Sequence, residues 1–150
     1  MTSLSAVNLI NGGHTCSESI LMAYAPQFGL TQETAARIAT GFAGGLAQGK
    51  TCGAVTAAVM VIGLKYGPGL CVDPYKKELC RYLTQEFCHR FRKKRRTTQC
   101  SKILAYNGVN SSDPIQMKHL REKKICDKIV NDAVVILDLL FYETEADNPA

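Results

Sequence analysis

The sequence predicts an all-α fold, a compact bundle of about five to seven helices in a single domain. Two observations predict it. Apolar residues recur at three- and four-residue spacing along most of the chain, and capping residues stand where those runs begin. Scarcely any stretch reads as a strand.

Leu4, Val7 and Ile10 give a short first helix, ended by Asn11-Gly12-Gly13. Thr15-Cys16-Ser17-Glu18 is a capping box, in which Thr15 and Glu18 satisfy each other's amides. It opens a second helix with Ile20, Leu21 and Tyr24 on one face, stopping near Phe28-Gly29. Thr31 caps a third helix to about Thr40. A glycine-rich loop from Gly41 to Gly49 follows, and Thr51 reads as the N-cap of a fourth helix that ends at Gly67-Pro68-Gly69. This alanine- and glycine-rich helix is expected to be the most buried, with Gly53, Ala54, Ala57, Ala58 and Gly63 permitting close backbone approach. Pro74 begins a fifth helix in which Leu79, Tyr82, Leu83, Phe87 and Phe91 keep helical spacing. Thr97 or Thr98 restarts the chain in a short helix through Leu104. The last helix, roughly Ile115 to Phe141 with a break, presents Ile129, Val130, Ala133, Val134 and Leu137. The acidic tail from Glu143 is expected to fray.

The length of 150 residues suits one core of ordinary size. No apolar stretch approaches the roughly 20 residues of a membrane helix. No basic segment precedes an apolar run at the N-terminus, so the expectation is a cytoplasmic chain. The net charge of +5 is concentrated: Arg90, Arg92, Lys93, Lys94, Arg95 and Arg96 crowd the end of the fifth helix. Such a run is a solvated helix end or a docking surface for an acidic redox partner. No stacking set or nucleic-acid motif accompanies it, which argues against nucleic acid.

Gly44 to Thr51, GGLAQGKT, fits the phosphate-loop pattern letter for letter. That loop works by joining a buried strand to a helix, whereas ETAARIATGFAG before it reads as helix. Val134 to Asp138, the nearest match to a magnesium-holding strand, keeps helical spacing as well. The glycines therefore introduce Cys52 and not a nucleotide.

Seven cysteines, with no local C-x-x-C, imply thiols kept reduced and any shared site assembled by the fold. Cys16 follows Thr15, Cys52 follows Thr51, Cys100 lies two after Thr98, and Cys126 falls in the last helical segment. At least three of these fall in the first turn of an expected helix. There the unpaired amides and the helix dipole favour thiolate over thiol. The competing account is that cysteine is a small, inert core residue.

Gly13-His14-Thr15-Cys16-Ser17-Glu18, Gly41-Phe42-Ala43-Gly44-Gly45 and Thr51-Cys52-Gly53-Ala54-Val55-Thr56 continue into Gly63-Leu64-Lys65-Tyr66-Gly67, a lone Cys100 and Cys126. In that order and spacing, from about Ala6 to Leu140, the chain resembles the four-cysteine redox-active family named for its C…GCAxxG…C…C pattern. Ala57 departs from it, standing where the family's glycine closes the motif. The resemblance implies that Cys16, Cys52, Cys100 and Cys126 are the redox or metal residues and converge in one pocket. His14, Gly44, Gly45, Thr51 and Gly53 would support them, while Cys71, Cys80 and Cys88 fall outside the set. It implies electron transfer through an iron–sulfur cluster or thiol/disulfide cycling. The alternatives are a non-redox zinc-binding or structural module, or a basic adaptor for acidic partners. No Asp or Glu stands in a recognisable catalytic arrangement, so no general acid or base is assigned. A small bundle with an exposed apolar edge also admits a homodimer.

Overall fold

The computed structural model describes residues 2–120 and 122–148. Among them lie eight α-helices: α1 (Thr2–Asn11), α2 (Cys16–Tyr24), α3 (Gln32–Ala39), α4 (Gly53–Tyr66), α5 (Pro74–Arg95), α6 (Cys100–Tyr106), α7 (Pro114–Lys118) and α8 (Ile125–Asp147). Two 3-10 turns, Ala25–Phe28 and Thr40–Phe42, flank α3. The fold is all-α, and its sole extended pairing among the described residues is one antiparallel bridge, Thr51 with Gln99. No described helix is long and apolar enough to cross a membrane.

Local chemistry sets the helix ends. The capping box forms at Thr15 and Glu18, and the Thr31 side chain caps α3. Asp73 and Asp113 each accept two first-turn amides ahead of Pro74 and Pro114, so α5 and α7 begin alike. Gly29 closes the turn after α2 in the left-handed region. The last expected helix is divided: α7 stops at Lys118, and α8 starts only after Lys124, which adopts φ 51°. The intervening basic stretch offers little apolar surface to bury, and the break is what makes the eighth helix.

The core gathers where α2, α4 and α8 meet, with α1 on α8, α3 on α2, and α5 across α4 and α8. Ile20, Leu21, Val61, Ile62, Leu83, Phe87, Phe91 and Leu137 are buried within it. Each such side chain contributes about 1.5–3 kcal/mol relative to exposure. Tyr24 donates a 2.5 Å hydrogen bond to Asp138, tying α2 to α8.

Three expectations need correction. The α4 helix buries seven of its fourteen residues but α2 buries six of nine, because α2 is enclosed by α1, α3, α4 and α8. Gly63 is no packing point, since a Cβ there would meet nothing within 4 Å. The acidic tail does not fray at Glu143. Helix α8 continues to Asp147, with Glu143 bound to Arg90 at 2.7 Å and Glu145 to Lys65 at 2.8 Å. Pro149 and Ala150 lie outside the described residues.

Candidate thiol site

The segments that precede the glycine-rich approach to Cys52 are helical. GLAQG is preceded by α3 and a 3-10 turn, and Val134 to Asp138 belong to α8, so no strand delivers a phosphate loop. Gly44, Gly45, Leu46 and Ala47 instead form a left-handed turn, with φ of 66°, 65°, 60° and 54°. The turn is closed by the Lys50 amide, which donates to the Gly45 carbonyl at 3.0 Å. Left-handed backbone costs roughly 1–2 kcal/mol at each non-glycine position. Leu46 and Ala47 are therefore held in place by their surroundings. Gly45 has no substitute here, because a Cβ would lie 2.4 Å from the Lys50 nitrogen.

Beyond the turn the chain runs antiparallel to the segment before α6. The Cys52 amide donates to Thr98 O at 2.7 Å, and the Cys100 amide donates to Lys50 O at 2.6 Å. Thr51 is thus a bridge partner of Gln99 and not the cap of α4. Cys52 itself occupies the cap position, without a side-chain cap bond. The pairing takes Thr51 out of the helix and brings Cys52 and Cys100 onto facing segments.

Cys16 is the first residue of α2, Cys100 the first of α6 and Cys126 the second of α8. All four cysteines stand at helix starts, Cys126 because of the break before α8. They line one cavity of about 170 Å³, walled by Ile10, Ala43, Ile103, Leu104, Met117, Leu120 and Ile129. Its polar rim includes His14, Thr15 and Asp127. His14 lies 3.2 Å from the Glu18 carboxylate that completes the capping box.

Within the cavity Cys16 and Cys52 form the intimate pair. The neighbouring Cys52 thiol is the largest influence holding the Cys16 pKa down to about 7. Burial opposes this, while the amides of Ser17, Gly44 and Cys16 itself favour the thiolate. The same contact pushes Cys52 well above an ordinary thiol, with burial and the Cys16 charge adding to it. Burial, then the charge on Cys16, pushes Cys100 up to about 11. One negative charge is thus shared by the pair and rests on Cys16, where the amide donors converge.

The close approach requires small neighbours. Gly53 is the first residue of α4, and a Cβ on it would stand 2.8 Å from the Cys16 sulfur and 3.1 Å from the Phe42 carbonyl. Ser17 is fully buried beneath the thiol and donates to Ala39 O at 2.8 Å, anchoring the chain that leads to Gly44.

Of the supporting residues expected from sequence, Gly44 supplies an amide to Cys16 and Gly53 packs on it, while His14 lies at the rim. Gly45 shapes the turn, and Thr51 makes the bridge. Cys71 is exposed in the loop after α4, Cys80 approaches the Ile62 carbonyl at 4.0 Å, and Cys88 is partly buried on α5; none lines the cavity. The coupling of Cys16 to Cys52 had no signal in the spacing. The left-handed Leu46 and Ala47 had none either, since neither residue favours that region.

Metal binding is a question of spacing. Among the described residues, no three of His, Cys, Asp and Glu gather closely enough to hold one ion. A four-thiolate centre needs a tighter gathering than this.

Residues 14–140 match the model of the family described as "Putative redox-active protein (C_GCAxxG_C_C)". No curated protein and no solved structure matches the chain. The match spans Cys16, Cys52, Cys100 and Cys126, and the chain belongs to that redox-active family.

Proposed function

We propose that the protein transfers electrons by cycling Cys16 and Cys52 between a dithiol and a disulfide. The observation that carries this reading is that Cys16 and Cys52 line one cavity as neighbours, with the Cys52 thiol foremost in holding the Cys16 pKa down to about 7. A thiolate is the attacking species in thiol–disulfide exchange, and a pKa near ambient pH is favourable for it. Cys16 attacks one sulfur of an oxidised partner R–S–S–R, forming a mixed disulfide and expelling RS⁻. That thiolate takes the proton of Cys52. The Cys52 sulfur then attacks Cys16 and expels the second RS⁻, which is protonated from solvent. Two protein thiols are oxidised to one disulfide, and the partner disulfide is reduced to two thiols.

Mild oxidation of the reduced protein, followed by peptide mapping, tests the reading. A Cys16–Cys52 disulfide should form ahead of any other. Cys16 and Cys52 both remaining alkylatable while other pairs oxidise would overturn it.

A second reading, an iron–sulfur centre on Cys16, Cys52, Cys100 and Cys126, draws on all four lining one cavity, and it requires them to close in beyond their present spacing. When bound, such a cluster would supply one-electron transfer. Iron and sulfide analysis of anaerobically purified protein distinguishes it, and zinc content tests the non-redox module. An acidic partner would now rest on Arg92, Lys93, Lys94 and Arg96, because Arg90 and Arg95 are engaged in ion pairs with Glu86, Glu143 and Asp132.

A further inference from the structure

Beside the thiol cavity lies a second recess, lined by Val7, Lys94, Arg95, Lys124, Lys128 and Asn131 together with Asp127 and Asp132. The two recesses share walls: Asp127 lines both, and α1 contributes Val7 to one and Ile10, a turn away, to the other. Arg95 is consumed by Asp132 at 2.6 Å. Lys94, Lys124 and Lys128 are exposed and join no ion pair among the described residues. The recess therefore presents three uncommitted ammonium groups against Asp127. The helix starts of α2, α4 and α8, which line the thiol cavity, add positive potential of the same sign.

From this juxtaposition we propose that the oxidant accepted by the thiol pair is a low-molecular-weight disulfide carrying carboxylate or similar anionic groups. Its charged end sits on Lys94, Lys124 and Lys128 while its sulfurs enter the cavity. This rests on the dithiol reading above and adds the substrate class to it. Size favours a small molecule: about 170 Å³ admits a few heavy atoms beside the thiols. Charge favours an anion, since clefts lined by one sign of charge concentrate the opposite sign and speed encounter in a salt-dependent way. The exchange is the one written above, with R–S–S–R the anionic disulfide and two anionic thiols released.

The test compares three disulfides of similar size on the anaerobically reduced protein: 3,3′-dithiodipropionate (anionic), 2-hydroxyethyl disulfide (neutral) and cystamine (cationic). Each rate of Cys16–Cys52 disulfide formation is divided by that disulfide's rate with free 2-mercaptoethanol, which removes intrinsic reactivity. At low ionic strength the anionic disulfide should lead the neutral one by about tenfold and the cationic one by more. The lead should shrink towards unity at about 0.5 M salt. It should also be lost in the triple variant K94Q/K124Q/K128Q, whose rate with the neutral disulfide stays unchanged. Equal normalised rates for the three disulfides, or an equal fall for all of them in the variant, would overturn the anionic preference while leaving the dithiol reading intact. Failure of even the neutral disulfide to oxidise the pair would overturn both.

Discussion

Gly53 and Cys16 begin two different helices, and a single carbon added to Gly53 would stand 2.8 Å from the Cys16 sulfur. The absence of that carbon lets α4 bring Cys52 against Cys16. The backbone of Gly53 is ordinary helix, so alanine would carry no conformational penalty, and any effect must be steric. We expect Gly53→Ala to cost about 1–3 kcal/mol in denaturant unfolding and to slow Cys16–Cys52 disulfide formation. Unchanged stability and unchanged oxidation would show that the contact is slack.

The pair's shared charge predicts a pH profile. Cys16 is an acid with a lowered pKa, so its thiolate is present above about pH 7 and is lost as pH falls through that value. Iodoacetamide labelling of Cys16 should rise with pH and reach half its maximum near 7. Cys52→Ala removes the largest influence that stabilises the thiolate, and the midpoint should move up towards the ordinary thiol value. A midpoint identical in both proteins would mean that the amides of Ser17 and Gly44 hold the thiolate without help.

Neighbouring glycines in the left-handed turn should respond very differently. Gly44→Ala meets only the backbone preference, because nothing lies within 4 Å of its Cβ, and should cost about 1 kcal/mol. Gly45→Ala adds a Cβ 2.4 Å from backbone nitrogen and must rebuild the turn, for a loss above about 3 kcal/mol. Ala47→Gly should be neutral or stabilising. Thermal melts of the three variants check the order, and equal effects at positions 44 and 45 would contradict it.

The basic run should divide into structural and solvated members. Arg95 and Asp132 are 17% and 16% exposed and 2.6 Å apart, so Arg95→Met leaves a mostly buried carboxylate without its partner. That should cost about 2 kcal/mol after allowance for residual solvent. Lys93 is exposed, and Lys93→Gln should stay within about 0.5 kcal/mol. Urea titrations of both variants test the contrast, which fails if the two midpoints fall together.

Much of this molecule was determined by sequence alone. One capping box, threonine and aspartate caps, proline at a first helical position and apolar spacing are short-range signals, and they set α2, α3, α5 and the helical character of Val134 to Asp138 without outside help. The helix starts at Cys16, Cys52 and Cys100 are written locally, whereas Cys126 joined the set through the family pattern and reached a helix start only with the break before α8. Only the tertiary structure decided what those four thiols are to one another. The pairing of residues 50–52 with 98–100 took Thr51 out of its expected cap and brought Cys52 and Cys100 onto facing segments. Contact between α2 and α4 across Gly53 made Cys16 and Cys52 neighbours whose pKa values are pushed apart. Leu46 and Ala47 are left-handed against their own preference because the closed turn between Gly45 and Lys50 leaves no other path. Local propensities act over a few residues and are legible in order of sequence. A thiol's pKa answers to amides and sulfurs that arrive from other helices, and those distances exist only once the chain has folded.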